Sequence, residues 1–276
     1  PRVHGRVWTL GQAGASKEAI LARPTFFEQW DGGVVSWRYL SEREPAALKR
    51  EAGWIVRQGL RVAVDLASGL NLYPDLRLID NLPGDYAASM STLSNVVEKM
   101  SILGAKDLLL SLHRHPENNF TAEQTEAGFE TTLRQLAAAA APAGITLHLR
   151  QASGKPPWSL VEAARFVERV GAANLRLAPS TALLADAHME PEAVARILDR
   201  RGGFWIAAAP RRDLSGQLWD AHAPVHRAAA AETEAVHGYL RLAPELPVIL
   251  DAILDDADAE FLEVTALNGS VRRPAR

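Results

Sequence analysis

The stretch KDLLLSLHRHPENNFTAEQTEAGFETTLRQLAAAAAPAGITLHLR, residues 106–150, contains the pattern that decides the fold. It begins with a near-continuous apolar run, typical of a parallel strand that is covered on both faces. A helix is predicted over 121–141, opened by Thr121 as N-cap with Gln124 three residues later. The run ITLHLR follows as a second apolar strand. A strand, a helix and a strand in this order predict a βαβ unit with two parallel strands.

The same unit is repeated along the whole chain. The predicted strands lie at residues 6–10, 33–40, 60–66, 106–114, 145–150, 174–180, 203–210 and 247–254. Helical segments are predicted near 16–29, 181–200 and 256–267, a polar loop follows residue 210, and Gly144 ends the helix that precedes the fifth strand. Eight strands, each followed by a helix, in a chain of 276 residues favour the α/β fold class and a closed (β/α)8 TIM barrel. An open doubly wound sheet is the alternative, because periodicity does not reveal closure. We predict a single barrel domain over residues 1–276.

Composition excludes several classes of partner and chemistry. The net charge is −3, with 30 basic and 33 acidic residues mixed along the chain, so we expect no nucleic-acid partner. No apolar run approaches the roughly 18 residues of a membrane span, so we expect a soluble protein with no membrane partner. The absence of cysteine excludes disulfides and thiol chemistry. GQAGAS (11–16) lacks the G-x-G-x-x-G spacing, which disfavours a nucleotide, and we expect no cofactor.

The first residues bear on whether this chain is part of a longer polypeptide. The chain begins at Pro1, without Met and without a signal-type apolar segment. We therefore expect a fragment of a longer polypeptide, with a neighbouring domain as its partner. The sequence does not decide between a cytoplasmic protein and one exported as part of a longer chain.

Candidate site residues are those at the carboxyl ends of the predicted strands, where barrel active sites lie. The candidate catalytic residues are Asp65, His113 and Asp251, which are types that transfer protons. The candidate ligand-binding residues are His115, His148, Arg150, Gln151, Trp158 and Arg211.

Each of these choices has a structural alternative. Arg150 is a candidate clamp for an anion or carboxylate, but it could equally pair internally with Asp65 or Asp251. His148 is as well explained by a hydrogen-bonded core histidine. Arg211 lies in an RRD run that is typical of a solvated loop, and Trp158 is a candidate for stacking on a sugar ring.

The span from 86 to 181 resembles the central part of the xylose isomerase-like TIM barrels, the sugar phosphate isomerase/epimerase superfamily. The resemblance rests on LGAKDLLLSLH, TAEQTEAGFETTLRQLAAAAAPAGITLHLR and VGAANLRLAPST. It implies a divalent metal held by a Glu ending the fifth strand, an Asp ending the sixth, a His on the seventh and a Glu on the eighth. Such a metal polarises a sugar carbonyl and hydroxyl while a carboxylate moves a proton.

This sequence departs from that ligand pattern. Arg150 stands at the fifth-strand position, Pro179 or Ser180 at the sixth, and the seventh reads IAAAP with no imidazole. Asp251, on the eighth, keeps a carboxylate. Hard cations favour several oxygen ligands, whereas Arg150 places a permanent positive charge there. We therefore predict a degenerate metal site and no bound metal.

Two functions from different classes follow. The first is a carbohydrate-related module, accessory or non-catalytic within a larger carbohydrate-active protein, that binds a carbohydrate or small molecule. The alternative is a metal-independent sugar isomerase/epimerase or a glycoside hydrolase that acts at the carboxyl-terminal mouth of the barrel. A hydrolase would use Asp65 and Asp251 as its carboxylate pair, about 5–5.5 Å or about 6.5–9.5 Å apart. The sequence does not decide whether the chain is an enzyme.

Overall fold

The computed structural model describes residues 3–6, 32–57, 61–66, 77–80, 83–112, 119–151, 159–212, 215, 218–223 and 230–250. The chain consists of two compact units. The terminal unit comprises Pro1–Val35, Gln58–Arg61 and Ala178–Arg276, and the central unit comprises Ser36–Arg57 and Val62–Leu177. In the described part of the chain, no helix combines the length and apolar character needed to cross a membrane. The prediction of one domain over the whole chain stays a prediction.

The elements are named in chain order. The strands are β1 (Val3–Arg6), β2 (Gly32–Ser36), β3 (Arg61–Asp65), β4 (Asp107–Leu110), β5 (Thr146–Arg150), β6 (Leu175–Ala178), β7 (Trp205–Ala207), β8 (Ala209–Arg212), β9 (Leu218–Ala223) and β10 (Val248–Leu250). The helices are α1 (Trp37–Ser41), α2 (Pro45–Arg57), α3 (Pro83–Leu103), α4 (Ala122–Ala140), α5 (Leu160–Val170), α6 (Thr181–Asp186), α7 (Pro191–Arg201) and α8 (Ala230–Leu240), with a 3-10 turn at Ala141–Ala143.

The central unit contains the βαβ unit that the sequence predicts. β4 and β5 pair in parallel, with Leu108 opposite Leu147, and α4 connects them. Thr121 and Gln124 form the predicted capping box at the start of α4. Gly144 ends the connection between α4 and β5, and its backbone adopts the left-handed conformation with φ +66°. A residue without Cβ adopts this conformation at little cost, which explains why the chain turns here into β5.

The remaining strands of the central unit extend this pair on both sides. The spatial order is β6-β5-β4-β3, and β3 pairs with β4 in parallel. The helices α3, α4 and α5 pack side by side, α3 on α4 and α4 on α5. Ser159 opens α5 with a second capping box, closed by Glu162. Their buried residues, such as Phe129, Leu133 and Phe166, form the core of this unit.

The terminal unit places the last described strand beside the first. β1 pairs in parallel with both β2 and β10, and β10 pairs in parallel with β7. A contact between the first and the last strand is the pairing that barrel closure requires. The hydroxyl of Tyr239 on α8 lies 2.9 Å from the carbonyl oxygen of Met189 and 3.1 Å from that of Leu184. Burial, and secondarily the nearby charge of Glu190, raises the pKa of Tyr239.

Two predicted boundaries at the front of the chain are wrong. The first strand begins at Val3, three residues before the predicted start at residue 6, and residues 7–10 of the prediction lie outside the described residues. The second strand, predicted over 33–40, ends at Ser36 and continues as the helix α1. A short apolar run fits either element by periodicity, and burial of Trp37 and Leu40, three residues apart, favours the helix.

Two further differences occur in the second half of the chain. The helical segment predicted over 181–200 is divided into α6 and α7, because His188 has a positive φ of 48° and Pro191 opens a new helix. The polar loop predicted after 210 contains an antiparallel hairpin of β8 and β9, with Arg211 opposite Asp220. Charged residues interrupt the apolar pattern of β8 and β9, so that pattern does not predict this hairpin. The helices predicted near 16–29 and 256–267 lie outside the described residues.

Candidate functional site

Three neighbouring strands of the central unit carry ionisable side chains on one face. Asp65 of β3 pairs in register with Leu109 of β4, which pairs with His148 of β5. Residues paired across a sheet share a face, and side chains alternate along each strand. This face therefore also includes Asp107, two residues before Leu109, and Arg150, two residues after His148. The register brings together two carboxylates, an imidazole and a guanidinium.

The opposite face of these strands is apolar. Its buried residues are Val64, Leu108, Leu110, Leu147 and Leu149. Amphipathic helices bury their apolar stripes against the apolar face of a sheet, and α4 packs against β5. We infer that the helices cover this apolar face. The ionisable face is the one turned away from them, which in a (β/α)8 barrel is the interior.

Arg150 and Asp65 form an ion pair at the carboxyl ends of their strands. Nη1 of Arg150 lies 3.8 Å from Oδ2 of Asp65, and the two side chains are 7% and 0% exposed. The pair spans β4, which lies between β3 and β5. A charge removed from water needs a charged or hydrogen-bonded partner. Of the two internal partners that the sequence allowed for Arg150, Asp65 is one that the structure provides.

His148 and Asp107 form a second buried pair on the same face. Nε2 of His148 lies 2.9 Å from Oδ1 of Asp107, and the His148 side chain is 3% exposed. With Asp107 ionised, the Nε2–H group of His148 donates this hydrogen bond, because a carboxylate only accepts. Asp107 opens β4, which places this pair nearer the amino-terminal ends of the strands than Asp65 and Arg150. Such a position in a barrel is associated with stability more than with catalysis.

The structure describes four of the nine predicted site residues fully. Asp65, His148 and Arg150 share one face, and Gln151 follows β5 directly and is partly buried. The backbone of Arg211 lies in β8. The other four lie outside the described residues: His113, His115, Trp158 and Asp251. The roles assigned to all nine stay predictions.

Sequence reasoning missed Asp107 as a partner in this cluster. Asp107 begins the apolar run DLLL, and a charged residue at a strand end is easily taken for a solvated one. It is in fact buried against His148. The available signal was the alternation of β4 and β5, which places an acid of one strand diagonal to a histidine of the next.

Two hydroxyl residues follow the sixth strand in the terminal unit. Ser180 and Thr181 are both completely buried, and the backbone of Ser180 bridges to Ile206. Oγ1 of Thr181 donates to the carbonyl oxygen of Ala208 at 2.6 Å and accepts from its N–H at 3.1 Å. Oγ of Ser180 has no hydrogen-bond partner among the described residues. Thr181 thereby ties the start of α6 to the residue that follows β7.

Comparison with known structures identifies the fold. No protein-family model and no curated protein matches the chain. A D-tagatose 3-epimerase-like protein superposes with a TM-score of 0.72 at 13% identity, covering 95% of this chain and 94% of that one. A xylose isomerase-like TIM barrel protein from Mycobacterium smegmatis, in complex with magnesium, superposes with a TM-score of 0.64 at 15% identity over 95% and 94% of the two chains. The chain has the xylose isomerase-like TIM-barrel fold.

A sugar enzyme with a bound ligand has the same fold. D-psicose 3-epimerase from Clostridium cellulolyticum H10, solved with D-tagatose, superposes with a TM-score of 0.70 at 12% identity. The alignment covers 89% of this chain and 83% of that enzyme. The expected resemblance to xylose isomerase-like barrels and the expected (β/α)8 fold class are thus confirmed at the level of the fold.

The described residues at the expected metal positions of a xylose isomerase-like barrel do not suit a divalent cation. The fifth strand ends in the guanidinium of Arg150, the sixth is followed by the hydroxyl of Ser180, and Ala207 ends the seventh. Calcium and magnesium require several oxygen ligands, carboxylates above all. Within the described residues, no group of three or more His, Asp or Glu side chains could hold a metal ion. Asp251, the fourth position, lies outside the described residues.

Proposed function

We propose that this barrel is a carbohydrate-binding module with a degenerate metal site, which acts as an accessory or non-catalytic part of a larger carbohydrate-active protein. The observation that carries the proposal is the buried guanidinium of Arg150 at the end of the fifth strand, paired with Asp65. Its partner in the cell would be a neighbouring domain of a longer chain. That domain would supply the chemistry of the larger protein.

Electrostatics supports the loss of the metal centre. Two unit charges 4 Å apart interact with about 4 kcal/mol at an effective dielectric of about 20, so a dication beside a guanidinium would be opposed by about 8 kcal/mol. Asp65 lies within ion-pair distance of Arg150, so its carboxylate already pairs with a cation of the protein itself. A cation site would therefore have to overcome a repulsion and lose a ligand at the same time.

The carbohydrate assignment is supported by the fold. Several structures similar to this chain are named as sugar epimerases, among them D-psicose 3-epimerase, and one of these was solved with D-tagatose. Ligands in (β/α)8 barrels bind at the carboxyl ends of the strands, where Asp65, Arg150 and Gln151 lie. We therefore place the sugar site at the ends of β3 and β5.

Metal content and turnover together test this proposal. Purified protein should contain a divalent metal far below one ion per chain by elemental analysis, both as isolated and after incubation with Mn²⁺ and gel filtration. It should not interconvert D-psicose, D-fructose and D-tagatose with or without added Mn²⁺ or Mg²⁺. Stoichiometric metal bound by the wild-type chain would overturn the degenerate site. Metal-stimulated epimerisation would overturn the non-catalytic role.

A metal-independent sugar isomerase or epimerase is the second candidate. The observation that favours it is the position of Asp65 at the carboxyl end of β3, since a carboxylate at that end of a barrel can exchange protons with a substrate. The names of the similar structures favour epimerase chemistry over glycoside hydrolysis. Incubation with D-psicose in D2O distinguishes the candidates, because an epimerase incorporates deuterium at carbon without added metal and a binding module does not.

A further inference from the structure

The outer face of α2 carries three positive charges. Lys49, Arg50 and Arg57 are all exposed. None of the three forms a hydrogen bond or an ion pair with any of the described residues. Exposed arginines elsewhere do have such partners, since Arg134 pairs with a glutamate of α4 and Arg241 with a glutamate of α8. The cations of α2 therefore create a local positive field on a chain whose net charge is −3.

The three cations lie on one side of the helix. Lys49, Gly53 and Arg57 follow one another at intervals of four residues, and Arg50 is next to Lys49. Nη1 of Arg57 lies 3.5 Å from the position that a Cβ would take at Gly53, so this guanidinium lies back along the helix toward the other two cations. The negative end of the helix dipole compensates Arg57 in the last turn, but it does not reach two turns back to Lys49. Charges of one sign gathered in this way repel one another, and an anionic partner would offset that repulsion.

The same face offers a partner an apolar contact and room to approach. Among the large apolar side chains of the described residues, Val56 alone is exposed, with 75% of its surface open to solvent. Val56 is seven residues after Lys49, which places it at the edge of the cationic face. Gly53 lies in the middle of the face, although glycine is less favourable than alanine inside a helix and a Cβ would meet Arg57 at an ordinary contact distance. The gap at Gly53 lets the backbone of a bound chain come close to the helix.

We propose that this face of α2, from Lys49 to Arg57, binds an acidic segment of another protein. Carboxylates of that segment pair with the three cations, and an apolar side chain between them packs on Val56. The planar fork of an arginine is suited to two parallel hydrogen bonds with a carboxylate. Lys49 and Arg57 are about 12 Å apart along the helix, which corresponds to about four residues of an extended chain. This inference does not depend on the carbohydrate function proposed above.

An acidic protein segment suits this face better than a membrane or a nucleic acid. Attachment to a membrane surface takes a broad apolar helix face in addition to basic residues, whereas Val56 is the exposed large apolar side chain of the described part of this chain. Proteins that bind DNA commonly contact about six to ten phosphates, and three cations are too few for that. A short chain that presents several carboxylates matches both the number and the spacing of the charges.

A defined peptide tests the inference. The probe is an acetylated, amidated peptide with the order Glu-Glu-Leu-Glu-Glu, and its control replaces each glutamate by glutamine. Titration of the ¹⁵N-labelled protein followed by NMR should give a saturable shift confined to the amides of α2 and a Kd below about 5 mM in 50 mM NaCl. Binding should weaken by at least about threefold in 500 mM NaCl, and the glutamine peptide should bind at least about tenfold more weakly.

Two variants with the same change in net charge locate the surface. Lys49→Gln/Arg50→Gln/Arg57→Gln should weaken binding of the acidic peptide by about tenfold. The matched control, which should stay within about twofold of wild type, removes three exposed arginines of α5 and α7: Arg165→Gln/Arg196→Gln/Arg200→Gln. Both proteins should keep the wild-type circular dichroism spectrum, because all six side chains are exposed.

Two single variants test the shape of the surface independently of its charge. Val56→Ser removes the apolar contact and should weaken binding by about threefold. Gly53→Leu fills the gap in the middle of the face and should weaken binding by at least about threefold, whereas Gly53→Ala should have a smaller effect. Unchanged affinity in both Val56→Ser and Gly53→Leu would contradict the proposed contacts.

Three further outcomes would overturn the inference. They are the absence of a saturable shift up to about 10 mM peptide, equal weakening by the two triple variants, and tighter binding of a different probe through the same cations. The probes for the last outcome are vesicles of equal parts phosphatidylserine and phosphatidylcholine, and an oligothymidylate. None of these results bears on the metal and turnover measurements that decide the carbohydrate function.

Discussion

Arg150 reaches across β4 to Asp65 and brings a guanidinium nitrogen to 3.8 Å from a carboxylate oxygen that is fully buried. One step along the same face, His148 and Asp107 form a second acid–base pair at 2.9 Å. This face of the central unit therefore carries a guanidinium and an imidazole beside its two acids.

The Arg150–Asp65 pair should contribute strongly to stability when one member alone is removed. Arg150→Met should lower the free energy of unfolding by about 3–5 kcal/mol, because it leaves a buried carboxylate without this charge partner. The double variant Arg150→Met/Asp65→Leu should lose much less than the two single variants combined. Urea denaturation followed by circular dichroism measures both values. Arg50→Met should stay within about 0.5 kcal/mol of wild type, and additive losses would contradict the pairing.

The His148–Asp107 hydrogen bond should appear as a coupling energy. His148→Phe and Asp107→Leu each remove one member of a pair whose atoms lie 2.9 Å apart in a buried setting. Each single variant should lose about 1–3 kcal/mol, and the double-mutant cycle should give a coupling of about 0.5–3 kcal/mol. The measurement is chemical denaturation of the four proteins. A coupling indistinguishable from zero would mean that the two side chains do not interact in solution.

Thr181 should be far more sensitive to loss of its hydroxyl than an exposed threonine. Thr181→Val removes the acceptor and the donor that bind both backbone groups of Ala208, so about 1–3 kcal/mol of stability should be lost. Thr131→Val on α4 is the matched control, since its exposed hydroxyl contacts the Ala127 carbonyl oxygen of its own helix. Thermal unfolding of the two variants should show a clear difference in Tm, and equal Tm values would refute the role of Thr181.

Gly202 should not tolerate a larger residue, because neighbouring atoms leave no space for a Cβ. A Cβ at this position would lie 2.7 Å from both the Leu198 carbonyl oxygen and the Leu246 Cδ1 atom. Gly202→Ala should therefore destabilise the protein by about 1–3 kcal/mol. Gly84→Ala in α3 is the control, since nothing lies within 4 Å of the added Cβ, and it should stabilise by about 0.4–1 kcal/mol. Denaturation midpoints that move in the same direction would contradict this contrast.

The capping box of α5 should make a small contribution to stability that depends on pH. The backbone N–H of Ser159 and its hydroxyl both donate to Glu162 at 2.9 Å, and these bonds hold the pKa of Glu162 below its usual 4.5. Because the folded pKa is depressed, the contribution is complete above the unfolded value near 4.5 and is lost as pH falls through the folded value.

A carboxyl NMR titration measures this effect directly. Ser159→Ala removes the hydroxyl bond and should raise the pKa of Glu162 toward 4.5. Ser94→Ala, on the exposed side of α3, is the control and should leave the titration unchanged. A titration midpoint of Glu162 that is the same in wild type and Ser159→Ala would exclude the hydroxyl as a cause.

Local sequence signals predicted most of the central unit. The capping box at Thr121, the glycine at 144 and the apolar alternation of β5 place α4 and β5 almost to the residue. Local sequence signals are weaker where a strand and the helix after it are both short and apolar. The run 33–40 became a strand and a helix, because a short apolar stretch satisfies both periods until its burial is decided by contacts.

The sequence by itself determined the strand–helix–strand order from β4 to β5 and the capped start of α4, since these depend on residues that are close together along the chain. The tertiary structure decided that Asp65 is a partner of Arg150, that Asp107 binds His148 and that β10 lies beside β1. Each of these contacts joins segments far apart in the chain. Strand register sets such contacts, and a shift of one residue would turn every one of these side chains to the opposite face.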